Sequence, residues 1–135
     1  MASILLIDDD DALRTMLARL LGRRGYETYE AADGEEGISL FNIKEPDIVI
    51  TDLIMPNQEG LETIGLLQEI DPNARIIAMS GNVALPNGRV LSTLSSLEIA
   101  AEIGARFIFQ KPFEVQDLIS AVETLAAEVE GISPT

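Results

Sequence analysis

Short apolar runs alternate along this chain with stretches whose apolar residues recur at helical spacing, and the alternation occurs five times. Ile4-Leu5-Leu6-Ile7 is a continuous apolar run of the kind a buried parallel strand shows. Asp11 to Arg23 then sets Leu13, Met16, Leu17, Leu20 and Leu21 along one side of a predicted helix. Tyr26 to Ala31 reads as a second strand and Glu35 to Lys44 as a second helix, with Ile38 and Phe41 inward and Pro46 blocking its continuation. Ile48-Val49-Ile50 forms a third strand running into Thr51 and Asp52. A third helix carries Leu61, Ile64, Leu67 and Ile70, and Ile76 to Met79 is a fourth strand. A helix is predicted from about Val90 to Ile103, stopped by Gly104; Phe107-Ile108-Phe109 is a fifth strand. The last helix, Glu114 to Val129, turns Val115, Leu118, Val122, Leu125 and Val129 inward. Strict strand–helix alternation predicts a parallel sheet with helices on both faces. No linker divides the chain, so residues 1–130 are expected to form one domain, with 131–135 a tail or the start of a linker.

Composition limits the chemistry. The chain has no cysteine and no histidine, which excludes disulfides, thiolate metal sites, Ser-His-Asp catalysis and a phosphohistidine of its own. Nine basic against 23 acidic residues give a net charge of −14, so nucleic acid is not an expected direct partner. No apolar run is long enough to span a membrane and no secretory signal is evident, which fits a cytoplasmic location. The acidic excess serves solubility, or part of it gathers to hold a cation.

The residues that follow the strands favour the cation. The first predicted strand ends at Asp8-Asp9, the third at Asp52, the fourth at Ser80 and the fifth at Lys111. Ligands of open α/β sheets bind outside the carboxyl ends of the strands, so three carboxylates, a hydroxyl and an ammonium meet at one edge. Crowded carboxylates repel one another, and a hard divalent ion such as Mg2+, held by one or two carboxylates, relieves that repulsion. A carboxylate is also a nucleophile toward phosphorus, and phosphoryl transfer asks mainly for positioning and charge stabilisation. Taken singly, each residue has a plainer role. Asp10 and Asp11 read as helix-capping or solvated residues, and Glu35 and Glu36 as a solvated first turn.

The motifs resemble those of response regulator receiver domains across nearly the whole chain. The resemblance rests on Ile4 to Asp10, on Ala31-Ala32-Asp33-Gly34-Glu35-Glu36-Gly37, on Asp47 to Pro56 with Gly60 after it, on Ser80-Gly81, and on Lys111-Pro112-Phe113. It implies a flavodoxin-like, doubly wound five-stranded parallel sheet of order 2-1-3-4-5. It implies that Asp52 accepts a phosphoryl group from a sensor histidine kinase or a histidine phosphotransfer protein, and that a surface near the fourth helix then binds a downstream effector or a second copy of the chain. Asp9, Asp52 and the backbone carbonyl of Ile54 would hold Mg2+, with Asp8 acting through water. Lys111 and Ser80 would meet the phosphoryl oxygens, and the Lys111–Pro112 bond is a candidate for cis. The domain would be a signalling module and not an enzyme in the usual sense.

Two departures from the family pattern stand out. Ile108 occupies the place of the usual switch aromatic, and Phe107 or Phe109 could take over only by a register slip that turned every side chain over. The stretch Asn82 to Ser95 makes the interval from Ser80 to Lys111 about nine residues longer than usual, an insertion that loops tolerate cheaply. It reads as a longer loop or an extra turn, either neutral or lying over the site to set phosphate lifetime or partner choice. Other functions fit less well. An aspartyl-phosphate phosphatase would want an acid at position 54, which is Ile; a flavin carrier would not place four aspartates after the first strand; a pseudo-receiver would not keep Asp9, Asp52 and Lys111. Carboxylate crowding further predicts that Asp52→Asn raises stability when Mg2+ is absent.

Overall fold

The apolar runs become strands whose side chains divide between two faces. In the computed structural model, which describes residues 2–53, 60–81, 83–84, 86–91 and 94–131, the elements run β1 (Ser3–Ile7), α1 (Asp11–Arg23), β2 (Glu27–Ala31), α2 (Gly34–Lys44), β3 (Ile48–Asp52), α3 (Gly60–Ile70) and β4 (Arg75–Ser80). They continue with β5 (Val83–Ala84), β6 (Val90–Leu91), α4 (Leu94–Ile103), β7 (Phe107–Gln110) and α5 (Val115–Val129). Five strands form one parallel sheet of order β2-β1-β3-β4-β7, with β1 paired to β2 from Ser3↔Glu27 to Ile7↔Ala31 and β3 to β4 from Ile48↔Arg75 to Asp52↔Met79. Counting only these strands, the order is the expected 2-1-3-4-5, and the fold is the flavodoxin-like doubly wound one.

Alternation along the strands builds two cores. Ile4, Leu6, Ile48, Ile50, Ile77 and Met79 face α1 and α5, where they meet Leu17, Leu21, Leu118, Val122 and Leu125. Leu5, Ile7, Val49, Ile76 and Ala78 face the other way, against Phe41 of α2, Ile64 and Leu67 of α3, and Leu97 and Ala100 of α4. Both ends of the apolar stripes emerge into solvent: Met16 of α1 and Ile70 of α3, placed inward by helical spacing, are 40% and 44% exposed. A stripe of 3.6-residue period is wider than the contact it makes, so its flanking members stay wet.

Local chemistry sets the helix ends. Asp10 caps α1, accepting from the Leu13 amide at 3.1 Å, and Asp33 caps α2, accepting from the Glu36 amide at 2.8 Å. Glu36 also reaches back to accept from the Ala32 amide at 3.3 Å, so it closes the N-terminus of α2 besides facing solvent. Gly104 ends α4 at φ +128, a conformation open mainly to glycine.

One predicted boundary is corrected. The helix expected from about Val90 begins at Leu94, because Val90–Leu91 pairs antiparallel with Val83–Ala84. The lengthened segment after Ser80 is thus a small β-hairpin, with exposed Pro86 to Arg89 between its strands. Two-residue apolar pairs carry no period, so nothing in Val90–Leu91 separates a strand from a helix start.

The register at Ile108 holds. Phe107 and Phe109 pack on the α1–α5 core, Ile108 pairs with Ala78 on the opposite side, and Ile108 is 36% exposed. Among the described residues, no aromatic side chain replaces it on the α4 side of β7.

Candidate functional site

Parallel strands all end at the same edge of the sheet, and the ends of β1, β3 and β4 together with the turn after β7 bring the predicted residues together. Asp8 follows β1 and is buried; Asp52 closes β3 and is 5% exposed; Ser80 closes β4 and is buried; Lys111 follows β7. Carboxylate oxygens of Asp8, Asp9 and Asp52 lie within 4.8 Å of one another. Asp9, unlike its two partners, is exposed.

Lys111 is tied to this cluster. Its Nζ donates to Asp52 Oδ2 at 2.6 Å and to Asp8 Oδ2 at 3.0 Å, across sequence separations of 59 and 103 residues. Burial alone would lower the pKa of this ammonium. The hydrogen bond and charge of Asp52, followed by those of Asp8, outweigh burial and hold it above the ordinary lysine value. The backbone helps to place it: the Lys111 amide donates to the Ser80 carbonyl at 2.7 Å, the Lys111–Pro112 bond is cis, and Phe113 packs against Phe109 with ring centroids 5.6 Å apart.

Ser80 Oγ is buried and has no hydrogen-bond partner among the described residues. A buried hydroxyl left without a partner costs about 1–3 kcal/mol. Close by, Gly60 lets α3 begin directly against the end of β3. A Cβ there would collide with the Leu53 Cα and lie 2.6 Å from the Asp52 carbonyl oxygen.

The donor set suits a small hard cation. Two oxygens bound on opposite sides of Mg2+ are about 4.2 Å apart, so a 4.8 Å span admits direct binding by some of these carboxylates and a water bridge to another. The Ile54 carbonyl, implied as a further ligand, lies outside the described residues.

Arg14 belongs to the site's surroundings and was not anticipated. Its guanidinium is 13% exposed and donates to the Asp8 backbone carbonyl at 2.7 Å. The signal for it is a single basic residue at the end of Asp8-Asp9-Asp10-Asp11-Ala12-Leu13-Arg14, three places after an acid on a predicted helix.

Comparison with known proteins agrees with this fold. The family model described as the response regulator receiver domain matches residues 4–123. The chain belongs to the response regulator receiver domain family. This receiver domain is 29% identical to sporulation initiation phosphotransferase F of Bacillus subtilis over 89% of its own length and 90% of the relative's. Some other curated relatives are longer, and the chain spans as little as 24% of one of them. A response regulator receiver domain protein from Clostridium thermocellum superposes with a TM-score of 0.83 at 28% identity, covering 96% of this chain and 98% of the other. A response regulator from Burkholderia pseudomallei, solved with a phosphorylated aspartic acid, a calcium ion and citrate, superposes with a TM-score of 0.76 at 29% identity, covering 97% and 72%. No helix among the described residues is long and apolar enough to cross a membrane.

Proposed function

We propose that Asp52 of this receiver domain is the phosphoacceptor, with Mg2+ held by Asp9, Asp52 and the Ile54 carbonyl and reached by Asp8 through water. The observation that carries this reading is the Lys111 ammonium, bonded at 2.6 Å to a nearly buried Asp52 and shared with Asp8. An Asp52 carboxylate oxygen attacks the phosphorus of a phosphohistidine. The new O–P bond forms as the N–P bond breaks, and the departing imidazole nitrogen takes up a proton. Mg2+ supplies charge neutralisation at the phosphoryl oxygens. Lys111 shifts its ammonium from the carboxylate to a phosphoryl oxygen, and Ser80 Oγ donates to another, which ends its lack of a partner. The Burkholderia relative, with its phosphorylated aspartic acid and calcium ion, supports the pairing of acceptor and divalent cation.

The donor would be a sensor histidine kinase or a histidine phosphotransfer protein of the cytoplasm, and residues 1–130 would be the body of the domain. The output would be a protein contact at α4 and β7, with an effector or a second copy. Ile99 and Ile103 of α4 are 45% and 39% exposed, and Ile108 of neighbouring β7 faces the same side. Hydrolysis of the aspartyl phosphate would be slow and would end the signal.

Incubation with Mg2+ and acetyl phosphate, followed by intact mass measurement, tests the reading. The wild type is expected to gain one phosphoryl group and Asp52→Asn none. Equal labelling of both would place the acceptor elsewhere.

A further inference from the structure

The exposed carboxylate of the site, Asp9, has no hydrogen bond or ion pair of its own among the described residues. Its direction therefore follows from the two peptide groups that flank it. The amide after it, that of Asp10, donates to Asp8 Oδ1 at 2.9 Å. The carbonyl before it, that of Asp8, accepts from Arg14 Nη1 at 2.7 Å. The Asp8 amide is in turn fixed to the Ala31 carbonyl at 3.1 Å. This junction lies between the end of β1 and the start of α1, where neither ladder nor helix holds the backbone.

Arg14 spends each guanidinium nitrogen on a different neighbour. Nη1 meets the Asp8 carbonyl, Nη2 meets Asp11 Oδ1 at 2.7 Å, and Nε meets Glu30 Oε1 at 3.1 Å. Asp11 is 80% exposed and Glu30 39%, so these two ion pairs add little to stability. They do fix a planar fork from both sides, one from α1 and one from β2, and so aim its third corner at the Asp8 carbonyl. Lysine could supply a charge there but not this three-way geometry.

We propose that Arg14 is a positioning residue for the cation site: by holding the Asp8 carbonyl between α1 and β2, it presents Asp9 to the metal ion. The proposal rests on the cation-site reading above and adds the element that orients it. Groups that orient metal ligands without touching the metal commonly change affinity by about 10–100-fold when removed.

The test is Mg2+ binding by titration calorimetry on the full chain, with thermal unfolding in chelator for each variant. Arg14→Ala is expected to weaken Mg2+ by roughly tenfold, Arg14→Lys by less, and Arg106→Ala, at the opposite edge of the sheet, not at all. The Mg2+ concentration for half-maximal labelling by acetyl phosphate should rise in parallel. The rate at saturating Mg2+ should return to within about twofold of wild type, because orientation is restored once the ion is bound. A folded Arg14→Ala that binds Mg2+ as tightly as wild type overturns the proposal. So does an equal loss in Arg106→Ala, which would make the effect a general one. If Arg14→Ala does not fold, Glu30→Ala decides: it removes one arm of the fork, a loss of about two- to threefold is expected, and unchanged affinity overturns the proposal. Failure of the wild type itself to bind Mg2+ overturns the site reading and this proposal together, which separates that failure from one confined to Arg14.

Discussion

At the scale of single residues, the site is an imbalance of charge around one ammonium. Asp8 and Asp52 hold Lys111 with the Asp9 carboxylate close to theirs, and Asp52→Asn leaves Asp8 as the carboxylate bonded to that ammonium while keeping an oxygen to accept from it. In chelator the variant should gain about 1 kcal/mol, a rise of roughly 4 °C in the unfolding midpoint. Saturating Mg2+ should reverse the order, because an ion at a hundred times its dissociation constant stabilises the wild type by about 2.7 kcal/mol and the variant by less. Scanning calorimetry with and without Mg2+ checks both arms. The Lys111 contacts themselves contribute fully below the ordinary lysine pKa and are lost only as pH rises through the raised value in the folded protein. The comparison should therefore give the same answer from pH 7 to about pH 9.5. Asp8, Asp52, Ser80 and Lys111 were legible in the sequence because each follows a strand-like run, and strand ends share one edge. Arg14 was not, because its role depends on a backbone carbonyl, and no side-chain pattern records where a carbonyl points.

At the scale of elements, the hairpin of β5 and β6 is the feature that departs most from the expected chain. It forms a two-stranded sheet of its own and shares no ladder with the five-stranded sheet. Replacing Asn82 to Leu91 with a short glycine-serine link should therefore leave the unfolding midpoint within a few degrees of wild type. The same variant decides the hairpin's role. A changed half-life of the phosphorylated protein assigns it to phosphate lifetime, and an unchanged one identifies a neutral insertion. The sequence showed a longer loop or an extra turn in this stretch, but its strands were not legible. Pairing between two such short segments is a tertiary outcome that neither announces alone. The long helices and buried strands behave differently, because each has enough residues for its period to show. For β7 the period also fixed the face of Ile108, and with it the absence of an aromatic on the α4 side.

At the scale of the molecule, one sheet serves two cores, so damage on either face is felt by both. Leu6 faces α1 and α5, and Leu67 of α3 packs on the other side; both are fully buried. Leu6→Ala and Leu67→Ala should each cost about 2–5 kcal/mol. Far- and near-ultraviolet circular dichroism should still report one coincident unfolding transition for each variant, because neither layer has a sheet of its own. Two separated transitions would show that the layers unfold independently. The order of strands in space has a consequence for the order of events in time. The carboxylates lie at the ends of β1 and β3, near the start and middle of the chain, while their ammonium follows β7, close to the last helix. During synthesis the acidic groups emerge from the ribosome well before residue 111 does. A partly made chain thus carries these carboxylates without the ammonium bonded to them, and the cluster is complete only when the final strand docks at the edge of the sheet.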